Sequence, residues 1–152
     1  MLGPIRKFFK LDPERKGLFI QACFLLGSIR LSLSRKTFKA HIAGLELHHG
    51  AVLQPLSEAS NQKTARSVGW AVQTAANFTP WKSTCLVQVL AAQRMLKKRD
   101  IPGVFYIGAA SGVAEDERPT LLAHAWLKCN DEFITGESGH QQYTVISSFS
   151  WP

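Results

Sequence analysis

Cys85 and His124 are the two side chains whose types and settings could together perform nucleophilic chemistry on an acyl group. Ser83 or Thr84 offers the short oxygen-bearing side chain that caps a helix, and the run 84–98 behind them is helical in pattern. Cys85 therefore falls in the first turn. Open amide N–H groups and the positive end of the helix dipole favour a thiolate there, the form of cysteine that attacks carbonyl carbon. Free cysteine is also among the most buried residue types, so position alone favours a core cysteine.

His124 supplies the base that a thiol needs. It stands near the start of a strand-like segment, 121–129, in the sequence Ala123-His124-Ala125-Trp126. Strand alternation puts Leu122, His124, Trp126 and Lys128 on one face and Leu121, Ala123, Ala125, Leu127 and Cys129 on the other. The second set reads as continuous apolar core. The first is mixed, as a cleft wall would be, and the flanking alanines leave room for a substrate chain. The same parity turns Cys129 away from His124, and Cys23, inside an apolar helix, reads as core.

A catalytic imidazole is normally held by a third group. If Asn130-Asp131 forms a two-residue hairpin turn, His124 lies opposite Glu137 on the same face. A one-residue change in the loop would move that partner. Asp131 is the rival acid, although in the turn it lies several residues from His124 along the strand. His48 and His49 are adjacent and diverge on a helix, and neither HExxH nor a CxxC pair is present, so a metal site is not expected. His140 sits in a polar loop and reads as solvated. There is no Gly-rich phosphate loop and no G-x-S-x-G elbow. No cofactor is implied.

The elements that must position these groups change character midway. Asp12-Pro13-Glu14 is a helix start, with a capping acid, proline in the first turn and a second acid behind it. It opens a helix over 14–32. A second helix is expected over 34–48 and a connector over 50–61. A third helix, 62–77, carries Val68, Val72 and Ala75 on one face. The helix 84–98 ends in Lys97, Lys98 and Arg99 before Pro102. Strand-like segments follow at 104–107, 121–129, 133–135 and 143–149, with a polar loop over 108–119. Helices followed by a short antiparallel sheet indicate an α+β fold. Residues 1–60 read as a basic helical extension and 61–152 as the core that carries the chemistry.

Charge is unevenly placed. Residues 1–40 hold nine Lys/Arg against two acids, so the whole net charge of +7 lies in the first quarter. Such an arm can meet an acidic protein, an acidic peptide, anionic lipid or nucleic acid. For nucleic acid, neither aromatic-basic interleaving nor a helix-turn-helix signal is present. Three scattered cysteines exclude a disulfide framework and fit reduced thiols in the cytoplasm. The apolar run 18–31 is interrupted by Gln21, Ser28 and Arg30, is short for a membrane span, and is followed by no signal-peptide cleavage site. It reads as a soluble, mostly buried helix and not as a transmembrane segment.

Trp81-Lys82-Ser83-Thr84-Cys85-Leu86 with 91–96, the segment 99–108, and His124-Ala125-Trp126-Leu127 through Thr135-Gly136 resemble the bacterial transglutaminase-like cysteine peptidases of lasso-peptide biosynthesis. The resemblance is strongest over 80–149; over 12–78 it is one of helical pattern. It implies a papain/transglutaminase-like core in which Cys85 is the nucleophile and His124 the base. The third residue in such triads is typically Asp on the strand after the histidine, where this sequence has Gly136-Glu137. The backbone N–H of Cys85 would be one oxyanion donor, with Trp81 or Lys82 as the second and Trp126 at the substrate. Such peptidases remove the leader from a ribosomally synthesised precursor so that an ATP-using macrolactam cyclase can close the ring. A chain that opens directly in basic helices resembles the split form, served by a separate small leader-recognition protein. Its basic quarter is then expected to dock that protein or an acidic part of the leader. Two other readings of the same residues are a different transglutaminase-like amidase or acyltransferase, and a non-catalytic binding module in which Cys85 and His124 are structural.

Overall fold

Asp12 opens the first long helix as expected, its Oδ1 accepting from the Arg15 amide at 2.8 Å. The structure, a computed structural model, describes residues 6–7, 9–35, 38–43, 45–48, 59–81, 83–113 and 115–151. Its helices are α1 (Pro13–Arg35), α2 (Phe38–His41), α3 (Ala59–Phe78) and α4 (Cys85–Lys98). Its strands are β1 (Glu46–His48), β2 (Gly103–Val113), β3 (Pro119–Cys129), β4 (Glu132–Thr135) and β5 (Thr144–Trp151). They form one antiparallel sheet in the order β1-β5-β2-β3-β4. This is the expected α+β arrangement, with the helix that carries Cys85 packed on a short antiparallel sheet.

Two expectations are corrected. The helix over 34–48 is replaced by the four-residue α2 and by β1, because 46–48 pair with Ser148–Ser150 of β5 and the sheet edge overrides local helical pattern. The polar loop over 108–119 is mostly strand: β2 and β3 stay in register from Val104↔Lys128 to Val113↔Pro119. Small and polar residues there give no alternation of burial, because this end of the hairpin extends past the core and leaves Val113, Leu121 and Ala123 exposed. The odd-numbered face of β3 is therefore apolar core only from Ala125 to Cys129.

The core joins the helices to the sheet in one cluster. It includes Leu18, Ala22, Leu26 and Ile29 of α1, Val68 and Val72 of α3, Leu90 and Met95 of α4, and Phe105, Leu127 and Phe149 of the sheet. Leu26 is fully buried, so its truncation to alanine should cost about 2–5 kcal/mol. Among the described residues α1 is the one helix long and apolar enough to cross a membrane. It is buried on one face only, and Ile20, Phe24 and Leu31 are exposed on the other. The expectation of a mostly buried helix is therefore corrected: full burial is confined to the face of Leu18, Ala22, Leu26 and Ile29.

Edge strand β4 is covered by α3 through residues that recur at helical spacing. Gln62 donates to the Cys129 carbonyl at 3.1 Å, Arg66 pairs with Glu132 at 2.6 Å, and Gln73 donates to the Ile134 carbonyl at 2.8 Å. Between them Gly69 lets the backbones approach: a Cβ there would meet the Ile134 carbonyl oxygen at 2.6 Å. This seam fixes the strand whose end reaches His124.

Candidate active site

The first turn of α4 is built by its cap. Thr84 is extended (φ −70°, ψ 168°) and its Oγ1 accepts from the Val87 amide at 3.4 Å. Gln88 donates to the Ser83 carbonyl at 3.1 Å and ties the entry segment to the helix. Cys85 is the first helical residue, half-buried, with its amide among those a helix leaves open.

His124 is positioned by the β3–β4 hairpin. Asn130 and Asp131 both take left-handed conformations (φ 50° and 63°), as a two-residue hairpin turn of mirror-image type requires. Cys129↔Glu132 and Lys128↔Phe133 pair in the expected register. A bulge then sets Leu127 opposite Thr135. That one-residue slip corrects the placement of Glu137 opposite His124. The group that meets the imidazole is the Gly136 carbonyl, 2.8 Å from Nε2. Gly136 has φ +78°, and a Cβ there would run into the Ala125 carbonyl and lie 2.8 Å from the Trp126 Cα. Only glycine fits this crossing.

Cys85 and His124 line one cleft of about 550 Å³. Gln88 of α4, Gln73 and Asn77 of α3, and Thr135 through Ser138 complete most of its wall. Glu137 is thus in the cleft, although its carboxylate makes no hydrogen bond to His124. Asp131 is exposed in the turn, 3.9 Å from the Lys128 ammonium, and does not line the cleft. Trp126 is not on the cleft wall. It is buried behind His124, with ring centroids 5.7 Å apart, and stacks on Tyr106 at 5.8 Å. Tyr143 flanks the imidazole at 5.2 Å. The Trp81 ring packs against Gly27 of α1 instead of the cleft, because that glycine leaves a flat seat. Lys82 and His49 lie outside the described residues. His48 is in β1, not on a helix, and His140 packs on Phe133 at 4.4 Å while its Nδ1–H donates to the Glu137 carbonyl. Among the described residues no group of three or more His, Cys, Asp or Glu could hold a metal ion.

The cleft also uses residues that pattern reading passed over. Gln88 lies one turn beyond Cys85 on the same helix face, and Gln73 and Asn77 share a face of α3, so helical spacing could have flagged them. Gly136 could be found only with the bulge in hand. The other thiols resist ionisation: burial, reinforced by the nearby Glu132 charge, pushes Cys129 up to about 12, and burial raises Cys23. A helix-start cysteine and a histidine of fixed orientation in one cleft can perform acyl transfer through a thioester.

A model of the transglutaminase-like superfamily matches residues 27–148, a span that includes Cys85, His124 and Gly136. No curated protein and no solved structure matches the chain.

Proposed function

Because the chain belongs to the transglutaminase-like superfamily, we propose that it is a cysteine peptidase with Cys85 as nucleophile and His124 as base. Its substrate on this reading is a ribosomally synthesised lasso-peptide precursor, from which it removes the leader in the cytoplasm. A small leader-recognition protein delivers the precursor, and a macrolactam cyclase consumes the product.

The observation that carries the reading is the shared cleft, with Cys85 at the start of α4 and His124 held by Gly136. The Cys85 thiolate attacks the scissile carbonyl carbon, and the oxyanion that forms lies near the open Cys85 amide. Collapse breaks the C–N bond as the imidazolium protonates the leaving amine, leaving a thioester. The imidazole then takes a proton from water, whose oxygen displaces the thiolate and releases the acid. The uncharged amides of Gln73, Asn77 and Gln88 suit the backbone of an extended peptide, which offers alternating donors and acceptors.

The test is leader release followed by mass spectrometry, with the recognition protein supplied. Wild type should release the leader, and Cys85→Ala and His124→Ala should not, with circular dichroism unchanged. Release by Cys85→Ala would exclude the mechanism. A product carrying an added amine in place of a free carboxylate would identify an acyltransferase instead.

A further inference from the structure

Helix α1 has two apolar faces, and only one is used by the core. Leu18, Ala22, Leu26 and Ile29 are buried, whereas Ile20, Phe24 and Leu31 are 59%, 73% and 55% exposed. At about 100° per residue these three fall within roughly 40° of arc, and at about 1.5 Å rise they span roughly 16 Å. The one charged residue between Ile20 and Leu31, Arg30, lies off that arc. Phe9, N-terminal to α1, is also 68% exposed, its ring 5.8 Å from the Lys16 ammonium.

Cations flank this stripe, with exposed Glu14 and Asp100 nearby in the chain. Lys16 and Arg35 stand near its two ends. Along its side, Gly17, Ile20, Gln21 and Phe24 form a shallow groove with Lys98 and Arg99 at the end of α4. Arg99 is held there by the Met95 carbonyl and Gln21 Oε1, each at 2.9 Å, while Lys98 projects into solvent. No acidic residue lines the groove.

We propose that this face of α1 lies on an anionic membrane surface, with Ile20, Phe24 and Leu31 at the headgroup–acyl boundary and Lys16, Arg35, Lys98 and Arg99 toward lipid phosphates. The combination of a protruding apolar stripe and flanking cations is what an interfacial helix presents. The helix is long and apolar enough to enter a bilayer, yet its opposite face belongs to the core, so it lies flat and does not span. No residue of α1 lines the cleft that holds Cys85 and His124, so a chain lying on this face of α1 does not fill that cleft. The inference does not depend on the leader-peptidase reading.

The test is co-sedimentation of the full chain with vesicles of phosphatidylcholine alone or with about 30% phosphatidylglycerol, at low and high salt. Wild type should bind the anionic vesicles at least about tenfold more tightly, and salt should weaken that binding. The Ile20→Asp/Phe24→Asp double variant should lose about tenfold or more, and Lys98→Glu should lose less. Both substitutions are at exposed positions, and circular dichroism checks the fold. As a second readout, Phe24→Trp should add a blue-shifted emission component with anionic vesicles only. Absence of vesicle preference, or full binding by the double variant, would overturn the proposal. A double variant that loses only stimulation by an acidic leader-recognition protein, in an assay without lipid, would assign the face to that protein instead.

Discussion

The Gly136 carbonyl stands 2.8 Å from Nε2 of His124, and this single contact sets the protonation pattern of the site. A carbonyl only accepts, so Nε2 carries the proton and Nδ1 is the basic nitrogen. Because Nε2–H donates in both the neutral ring and the imidazolium, the contact persists while a proton moves on and off Nδ1. A backbone carbonyl thus occupies the place where a carboxylate was expected.

Gly136→Ala should therefore damage activity more than Glu137→Ala. The new methyl meets Ala125 and Trp126 backbone and must push the carbonyl away from the imidazole. A displacement of about 1 Å in such a group can cost about 10²-fold in rate. Glu137→Ala removes a cleft side chain and should act mainly on KM, and Asp131→Ala should do little. Kinetics of leader release by the three variants decide this, and a Glu137→Ala loss in kcat as large as that of Gly136→Ala would restore the carboxylate to the third position.

Much of this site was legible in the residues themselves. Ser83 or Thr84 and the run behind them announced a helix start with Cys85 in its first turn, the cap being Thr84, and the alternation around His124 announced a strand. Asn130-Asp131 announced the turn. The third partner was not legible, because a bulge leaves no mark in a period-two pattern and reverses what lies opposite. β1 was missed for a similar reason: 46–48 have a strand partner about a hundred residues away and no local signal. Residues 108–113 hid as loop because their strand extends beyond the core, where burial no longer selects apolar side chains.

Thiol chemistry should separate the three cysteines. Cys129 is fully buried and pushed up to about 12, and burial also raises Cys23. In native protein at neutral pH, iodoacetamide should label Cys85 first, with Cys129 unmodified until the chain unfolds. Peptide mapping by mass spectrometry checks the order. Native labelling of Cys129 at the rate of Cys85 would contradict the placement of both.

The Glu132 carboxyl is held below the usual carboxylate range, first by its hydrogen bond to Arg66 and then by that to Gln62. A depressed pKa contributes stability above the unfolded value of 4.5 and loses it as pH falls through the folded value. Glu132→Gln should thus destabilise at pH 7, by no more than about 1 kcal/mol because the Arg66 side chain is exposed. The difference from wild type should vanish in acid. Urea melts at neutral and acidic pH test this, and a difference that grows on acidification would reverse the sign argued here.

Gly108 offers a test of whether Trp126 and Tyr143 hold His124 from behind. It lies directly opposite His124 in the β2–β3 pairing. A Cβ at this position would come within 2.8 Å of both the Trp126 ring and the Tyr143 Cβ. Trp126 is buried and stacked on Tyr106, so it cannot swing into solvent without leaving that contact. Overpacking of this kind costs about 1–3 kcal/mol, which for a chain of this size lowers Tm by very roughly 3–10 °C. The displaced ring also shifts the imidazole it flanks, so Gly108→Ala should lower kcat although it touches no substrate. Trp126→Phe in the Gly108→Ala background removes the part of the ring that collides and should recover much of both losses. A variant that loses stability but keeps full kcat, unaltered by Trp126→Phe, would mean that the Gly136 carbonyl alone is enough to hold His124 in place.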